Sequence, residues 1–220
     1  TMACEHILNI SLIENAEVVA LSDPHEASLN QCKDMLKTKV PCFKNHQDMI
    51  KENLVDVYLI SSPNFTHIGI LKDVIKSKKH ILVEKPLCTN TKDCLEIKKL
   101  TKDYPSVFWT AMEYRYMPPV AKFINEIHNK TIGELKTLTI REHRFPFLKK
   151  VNDWNRFEKN TGGTLVEKCC HFFDLMCLIA KSKPISVYAS GGQDVNHLDE
   201  EYDGKKPDII DNAYVCLLYT

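Results

Sequence analysis

Neither sign of charge is in excess in this sequence: Lys plus Arg and Asp plus Glu each number 29 among 220 residues, so the formal net charge is zero. A chain with no basic surplus lacks the electrostatic footprint of nucleic-acid binding and of a polybasic contact with a membrane. Long apolar runs are missing too. None approaches the ~20 residues that a membrane-spanning helix needs. No two of the nine cysteines (4, 32, 42, 88, 94, 169, 170, 177 and 216) have the C-x-x-C spacing. Their number is odd and most lie in apolar surroundings, which argues for reduced thiols in a cytoplasmic protein rather than a disulfide framework. Asn9, Asn64 and Asn129 begin N-x-S/T triplets, read as unused in that setting. No internal repeat and no signal peptide are visible.

What remains is an ordinary globular composition, 44% hydrophobic and 26% charged, enough to bury a real core. Apolar periodicity predicts helices over 2–13, 27–36, 47–52, 68–75 and 93–100. Short strands are expected over 18–21, 40–43, 55–60, 81–83 and 107–111. Pro24 is placed to open the second helix. Strands alternating with helices over 1–112 are the signature of βαβ units and a parallel sheet. The pattern then changes. Pro118-Pro119 starts a helix to about His128, residues 135–142 alternate as a half-exposed strand, and one long helix is expected over 165–181. Strands follow at 185–189 and 213–219, separated by a polar segment, 191–208, read as a mobile surface loop. The fold class is therefore α/β: a Rossmann-type doubly wound parallel sheet, then an α+β domain with a largely antiparallel open sheet. The boundaries are set at 1–115 for a nucleotide-binding domain and 116–220 for an α+β domain. A doubly wound nucleotide domain begins with a strand and a glycine-rich turn. This chain opens on the helix that should follow that turn and closes on an uncovered strand, so both ends are expected to be truncated.

Chemistry in such sheets gathers outside the carboxyl ends of the strands. Three strand ends carry suitable residues. Asp23 follows the second expected strand, where a carboxylate hydrogen-bonds ribose hydroxyls and repels a 2′-phosphate. As an isolated residue it reads equally as a turn or helix cap. Ser61, Ser62, Pro63, Asn64, Thr66 and His67 follow the next strand and could equally be a cap cluster. Glu84, Lys85 and Pro86 end the apolar run Ile81-Leu82-Val83, and taken alone are a solvated charge pair. Tyr114 and Arg115 close the α/β half. On an unbroken helix Glu167 and His171 are i and i+4 and share a face, with Asp174 on the same stripe. Leu165, Cys169, Phe172, Met176 and Ala180 fall on the opposite, core side.

Six motifs carry a resemblance over the whole chain: Ala-Leu-Ser-Asp-Pro (20–24), Ser-Pro-Asn-Phe-Thr-His (62–67), Glu-Lys-Pro-Leu (84–87), Tyr-Arg-Tyr-Met-Pro (114–118), Asp-Trp-Asn-Arg (153–156) and Gly-Gly-Thr-Leu-Val-Glu-Lys-Cys-Cys-His-Phe-Phe-Asp (162–174). In this order and spacing they resemble the Gfo/Idh/MocA family, the glucose–fructose oxidoreductase and inositol dehydrogenase type. The resemblance implies an NAD(P)-dependent oxidoreductase that moves a hydride between nicotinamide and a secondary alcohol of a sugar, polyol or related small molecule. NAD is implied over NADP, chiefly through Asp23. It implies a G-x-G directly before Thr1, with Thr1 and Met2 at the pyrophosphate. Asp23, Ser62, Pro63, Asn64, His67, Glu84, Lys85 and Arg115 complete the implied cofactor contacts.

Lys85, His171 and Glu167 are the implied catalytic residues. Lys85 would steady charge on the substrate oxygen, His171 would act as general base, and Glu167, where the family more often has Asp, would orient substrate. Trp154 joins these three as a substrate contact. The family often has glycine at the position of Cys169. Without the glycine turn the chain alone is expected to bind dinucleotide weakly and to be inactive. The resemblance also implies that the α+β domain, 116–220, is used for substrate and dimer contacts. The full-length protein is expected to be a homo-oligomer, without nucleic-acid or membrane partners. No metal is expected, since adjacent cysteines on a helix point about 100° apart. Tyr202 and Lys206 have a Y-x-x-x-K spacing, but Gly204 and Pro207 place them in a loop, and the match is treated as coincidence. Two other readings stay open: a non-catalytic dinucleotide-binding relative, and a redox-neutral glycoside-processing enzyme that recycles bound NAD.

Overall fold

The computed structural model describes residues 2–219, so Thr1 lies outside the described residues. The chain divides into two units. The first holds the residues up to Ser62, Thr66–Glu84 and Leu95–Trp109. The second takes Pro63–Phe65, Lys85–Cys94 and everything from Thr110 on.

The first unit follows the alternation expected of it. α1 (Met2–Ile10) leads to β1 (Leu21–Ser22), α2 (Glu26–Lys33), β2 (Cys42–Phe43), α3 (His46–Glu52), β3 (Val57–Ile60), α4 (His67–Val74), β4 (His80–Glu84), α5 (Thr91–Leu100) and β5 (Phe108–Ala111). β1 pairs in parallel with β2, and β3 in parallel with β4 in the register Tyr58–Ile81 and Ile60–Val83. β5 completes a three-stranded sheet in the order β3-β4-β5. The β-branched and aromatic residues of β3 and β4 suit a pleated, buried surface, and Tyr58, Ile60, Ile81 and Val83 are buried. Leu71 and Val74 from α4 and Ile97 from α5 are buried as well. A second cluster joins Cys4 and Ile7 of α1 to Cys32 of α2, lined by Val18 and Leu21.

Pro24 does not open α2. His25 is its N-cap, with Nδ1 accepting from the Ser28 amide at 3.4 Å, while Asp23 Oδ1 accepts the His25 amide at 2.7 Å. An imidazole acceptor thus satisfies one of the amides that a helix start leaves without an intrahelical partner. Proline, with no amide of its own, stands one residue outside the cap.

In the second unit α6 (Pro118–His128) starts as expected, with proline at its first positions, where its missing N–H costs nothing. It is followed by α7 (Glu158–Thr161), α8 (Thr164–Glu167), α9 (Cys170–Ala180), β6 (Pro184–Gly192) and β7 (Asn212–Tyr219). β6 and β7 form an antiparallel pair. Ile124 and Ile127 of α6 pack with Leu175 and Ile179 of α9.

Three sequence expectations fail here. Residues 135–142 form no regular strand. Leu135, Leu138 and Ile140 instead pack against the α6–α9 cluster, a spacing that mixes the two faces of the alternation. The long helix over 165–181 is broken between α8 and α9 at Lys168 and Cys169. Its buried stripe is His171, Leu175 and Ile179, and not the stripe through Cys169, Phe172 and Met176. His171 therefore faces inward on this helix with Leu175 and Ile179. The segment 191–208 is tied down: Arg156 Nε donates to Glu200 Oε2 at 2.7 Å, and the Glu158 amide donates to Asp208 Oδ1 at 2.6 Å. No helix among the described residues is long and apolar enough to cross a membrane.

Candidate active site

The turn after β4 carries Lys85 into the second unit. Pro86 follows it through a cis peptide bond, and Cys88 is buried two residues on. The far side of this turn is shaped by Gly162, at φ +83°. A Cβ there would lie 2.6 Å from the Thr89 carbonyl oxygen and 2.7 Å from Val166 Cγ1. Only glycine suits that conformation and that approach. Gly162 ends α7, and Gly163 is the N-cap of α8, so the glycine pair sets the direction of the helix that delivers Glu167.

At the break after α8 the Glu167 carbonyl accepts Lys85 Nζ at 2.8 Å and Cys170 Sγ at 3.8 Å. The Glu167 carboxylate is buried. Asn64 Nδ2 donates to its Oε2 at 3.5 Å and to the Thr161 carbonyl at 3.2 Å, while Lys168 Nζ lies 3.3 Å from its Oε1. Burial pushes the Lys168 ammonium down in pKa, and the Glu167 carboxylate opposes that shift. The Phe147 ring faces the same ammonium at 4.9 Å. This is the cost of desolvating a cation, partly offset by a carboxylate and an aromatic face.

His171, on the first turn of α9, is buried. Tyr114 stacks on its ring with centroids 4.0 Å apart and planes 5° apart, and its Nε2 lies 3.3 Å from Glu113 Oε1. Burial raises the Tyr114 phenol, so it remains a neutral platform. Burial also raises the thiols beside His171, Cys169 upward and Cys170 to about 11. A thiol held that high is a protonated packing group and not a nucleophile. Arg115, expected at the cofactor, is gripped by both oxygens of Asp174. Trp154 is half-buried and meets Phe65 edge-on, with centroids 6.2 Å apart.

The second unit thus brings together Asn64, Lys85 and Glu167 around one carboxyl group and carbonyl. It holds His171 between Tyr114 and Glu113. Of the remaining expected residues, Pro63 belongs to the second unit and Thr1 lies outside the described residues, while Met2, Asp23, Ser62, His67 and Glu84 belong to the first unit. Met2 is the first residue of α1. Asp23 ends β1, with one carboxylate oxygen engaged by the His25 amide. Glu84 is buried at the end of β4, where His6 Nε2 lies 2.7 Å from its Oε1. His67 is wholly buried, its Nε2 3.0 Å from the Ser62 carbonyl, and Thr66 Oγ1 donates to Ser62 Oγ at 2.7 Å. Any influence of His67 on a ligand passes through the loop it holds.

Glu113 was not read from the sequence as a partner of the imidazole. It precedes the tyrosine of a quoted motif, but nothing in a linear spacing relates it to His171. Asn155 and Arg156 were quoted in the motif 153–156 without a role. Both are buried. Asn155 Nδ2 donates to the Leu148 carbonyl at 2.9 Å, and Arg156 also reaches Glu200.

Comparison with known proteins bears on the family and the fold. Residues 1–112 match the profile of an oxidoreductase family with an NAD-binding Rossmann fold, and residues 124–220 match that family's C-terminal alpha/beta domain. The chain is 30% identical over 216 residues to a myo-inositol 2-dehydrogenase of Thermotoga maritima, covering 97% of this chain and 61% of that protein. Among solved structures, an NAD-binding protein from Listeria innocua superposes with a TM-score of 0.80 at 22% identity, covering all of this chain and 60% of the other. The WlbA dehydrogenase of Bordetella pertussis, solved with NADH and UDP-GlcNAcA, gives a TM-score of 0.75 at 18% identity, covering 98% of this chain and 63% of the other. At those identities the two structures speak for the fold alone. The chain spans about three fifths of the length of the relatives it matches. With both family profiles matched in order along the chain, it belongs to the Gfo/Idh/MocA oxidoreductase family.

Proposed function

We propose that this chain supplies the cofactor-binding and proton-handling parts of an NAD-dependent oxidoreductase acting on a secondary alcohol of a sugar, polyol or related small molecule. The observation that carries the reading is the polar cluster of the second unit. An ammonium is held on the backbone carbonyl of a residue whose carboxylate is buried, and a buried imidazole lies on the helix that follows. Such groups are costly to bury without partners, and buried polar groups held in this way mark a candidate site of chemistry.

The cofactor reading rests on β1. Among the described residues only one Asp23 oxygen is engaged, which suits a carboxylate kept for ribose hydroxyls and hostile to a 2′-phosphate. In this reading Asp23, Ser62, Pro63, Asn64 and Glu84 line the cofactor, with Thr1 and Met2 at its pyrophosphate. His67 and Arg115 act through the Ser62 loop and through Asp174. The bound cofactor supplies the hydride acceptor or donor. All other chemistry is assigned to side chains. Lys85, its ammonium oriented by the Glu167 carbonyl, hydrogen-bonds the substrate oxygen and steadies the charge that develops there. His171 takes the hydroxyl proton at a ring nitrogen. Tyr114 and Glu113 hold that ring in one plane and one direction. Glu167, steered by Asn64 and Lys168, orients a neighbouring hydroxyl. Trp154 and Phe65 offer an aromatic wall. The protein is taken to be cytoplasmic and homo-oligomeric. The substrate class is supported by a relative named as a myo-inositol 2-dehydrogenase.

The test is NADH formation by the full-length protein with a panel of polyols and sugars. Turnover with at least one member is expected. Lys85→Ala should lower kcat/KM by about 10²–10⁴-fold with the melting temperature near that of the parent, and His171→Ala should lower it comparably while also losing stability through the cavity left by its buried ring. NAD binding without turnover, and no effect of Lys85→Ala on any product, would overturn the reading. Product formed with NAD retained and no net NADH would point to redox-neutral chemistry instead.

A further inference from the structure

A general base must lose its proton before the next turnover, and His171 has little water to give it to. Its side chain is 3% exposed, whereas that of Glu113 is 48% exposed, and Glu113 Oε1 lies 3.3 Å from His171 Nε2. Glu113 opens the one-turn 3₁₀ helix Glu113–Tyr116 that follows β5. Three successive residues of this turn meet α9 in different ways. Tyr114 stacks on the imidazole with planes 5° apart. The ring nitrogens direct their hydrogens along their own plane, so a parallel phenol is no acceptor for them. Arg115 engages both oxygens of Asp174, and a carboxylate held by a guanidinium resists protonation. Glu167 is buried, with Lys168 Nζ 3.3 Å from its Oε1, which discourages protonation in the same way. Of these three carboxylates Glu113 is the half-exposed one, and it meets the imidazole at a ring nitrogen.

We propose that Glu113 is the proton outlet of His171, a role that rests on the proposed reading of His171 as general base. Once the ring has taken the hydroxyl proton it is an imidazolium, and its Nε2–H faces Glu113 Oε1. That N–H bond breaks as an O–H bond forms on the carboxylate, leaving a neutral imidazole and a carboxylic acid. The acid then gives its proton to water or to a buffer base and is a carboxylate again. An ordinary imidazole holds a proton about 10²-fold more tightly than an ordinary carboxylate. Glu113 therefore carries the proton only in passing and returns to the form that accepts the next one. It acts through His171 and has no part in the hydride transfer itself. Its effect falls on regeneration of the base, so kcat depends on it and kcat/KM does not.

Two variants separate an outlet from a merely orienting contact. In Glu113→Gln the side-chain oxygen still accepts a hydrogen bond from Nε2–H but takes up no proton. Glu113→Asp keeps a carboxylate. In full-length protein labelled with ¹⁵N-histidine, the His171 Nε2–H signal is assigned by its loss in His171→Gln, and its exchange with water is measured at pH 6. Exchange in Glu113→Gln should be at least about 10-fold slower than in the parent, with Glu113→Asp in between. In NADH formation at saturating polyol, Glu113→Gln should lose about 10-fold in kcat while kcat/KM stays within about 2-fold of the parent. Free imidazole should restore kcat in Glu113→Ala. Unchanged exchange in Glu113→Gln, or a kcat/KM that falls together with kcat and does not respond to imidazole, would remove the outlet. A parent that turns over no polyol, but whose exchange slows in Glu113→Gln, keeps the outlet and removes the oxidoreductase reading instead.

Discussion

In the first unit Leu71, Ile81, Val83 and Val74 are almost wholly buried, whereas the largest fully buried side chain of the second unit is an arginine, Arg156. The contrast is general. Of the eighteen buried apolar side chains among the described residues, twelve belong to the first unit, and of the eight buried polar ones, six belong to the second. Apolar burial is non-directional and tolerant of sequence. Polar burial demands a partner for each group, and those partners fix particular backbone positions. Arg156 is held by Glu200, by the Leu148 carbonyl and by Asn155 Oδ1. Its own carbonyl accepts the Asp208 amide. Through its side chain and its carbonyl, Arg156 therefore holds Leu148, Glu200 and Asp208, none of which lies in a strand or helix. The first unit provides a stiff frame by hydrophobicity, and the second provides a directed arrangement by hydrogen bonding, which is what proton chemistry on a small molecule needs.

The two tryptophans separate these modes, since Trp109 lies in the first unit and Trp154 in the second. The largest effect on stability is expected from Leu71→Ala. Leu71 is completely enclosed, and a cavity there costs about 4 kcal/mol, read as a lower denaturant midpoint of Trp109 emission in Trp154→Phe protein. A shift under about 1 kcal/mol would mean that the first unit is not held by its apolar core. The next effect belongs to the second unit. Glu200→Ala leaves the Arg156 guanidinium buried without its carboxylate and should cost about 3 kcal/mol, read by Trp154 in Trp109→Phe protein. Arg156→Ala with Glu200→Ala should cost less than the two single changes added, by at least about 1 kcal/mol. Strict additivity would break the comparison, because the pair would then not act as a unit.

The same difference explains what could be read from sequence. Elements of the first unit were legible because periodicity reports apolar faces. The run Ile81-Leu82-Val83 announces β4, and helical spacing announces α4 and α5 within a few residues. In the second unit the rules that failed are those that assume polar means outward. His171 and Glu167 were placed on one face of a continuous helix by 100° arithmetic. The chain breaks that helix, and α9 buries the side that carries His171 against the cluster of Leu175 and Ile179. Residues 191–208 looked like a mobile loop because they are polar, yet Glu200 and Asp208 are the partners that Arg156 and the Glu158 amide require. The relation of Glu113 to His171 had no signature, since the two are brought together only by tertiary packing. Motif order nominated candidate residues, but it carried no information on how each is held.

The smallest effect is expected where neither mode of burial operates. α3 buries no residue, so it is held at its ends. Asn45 caps it, Oδ1 accepting the Gln47 amide at 2.9 Å. Asp73 of α4 holds its first turn through His46 at 3.1 Å and Gln47 Nε2 at 2.8 Å. Hydrogen bonds from Gln47, Lys76 and His46 bring the Asp73 carboxyl down to about 2, below an unfolded value near 3.9. A carboxylate depressed in the folded state stabilises it fully above the unfolded value, and that contribution fades as pH falls through about 2. Solvent screens the group, so the contribution is on the order of 0.5 kcal/mol. Between pH 4 and 2 the amides of α3 should therefore lose exchange protection before those of β4, such as Ile81, whose burial carries no titrating group. Asp73→Asn should lower α3 protection at pH 6 and flatten its acid dependence. Equal acid sensitivity of α3 and β4 would mean that the first unit responds to pH as one body, and the local role of Asp73 would fall.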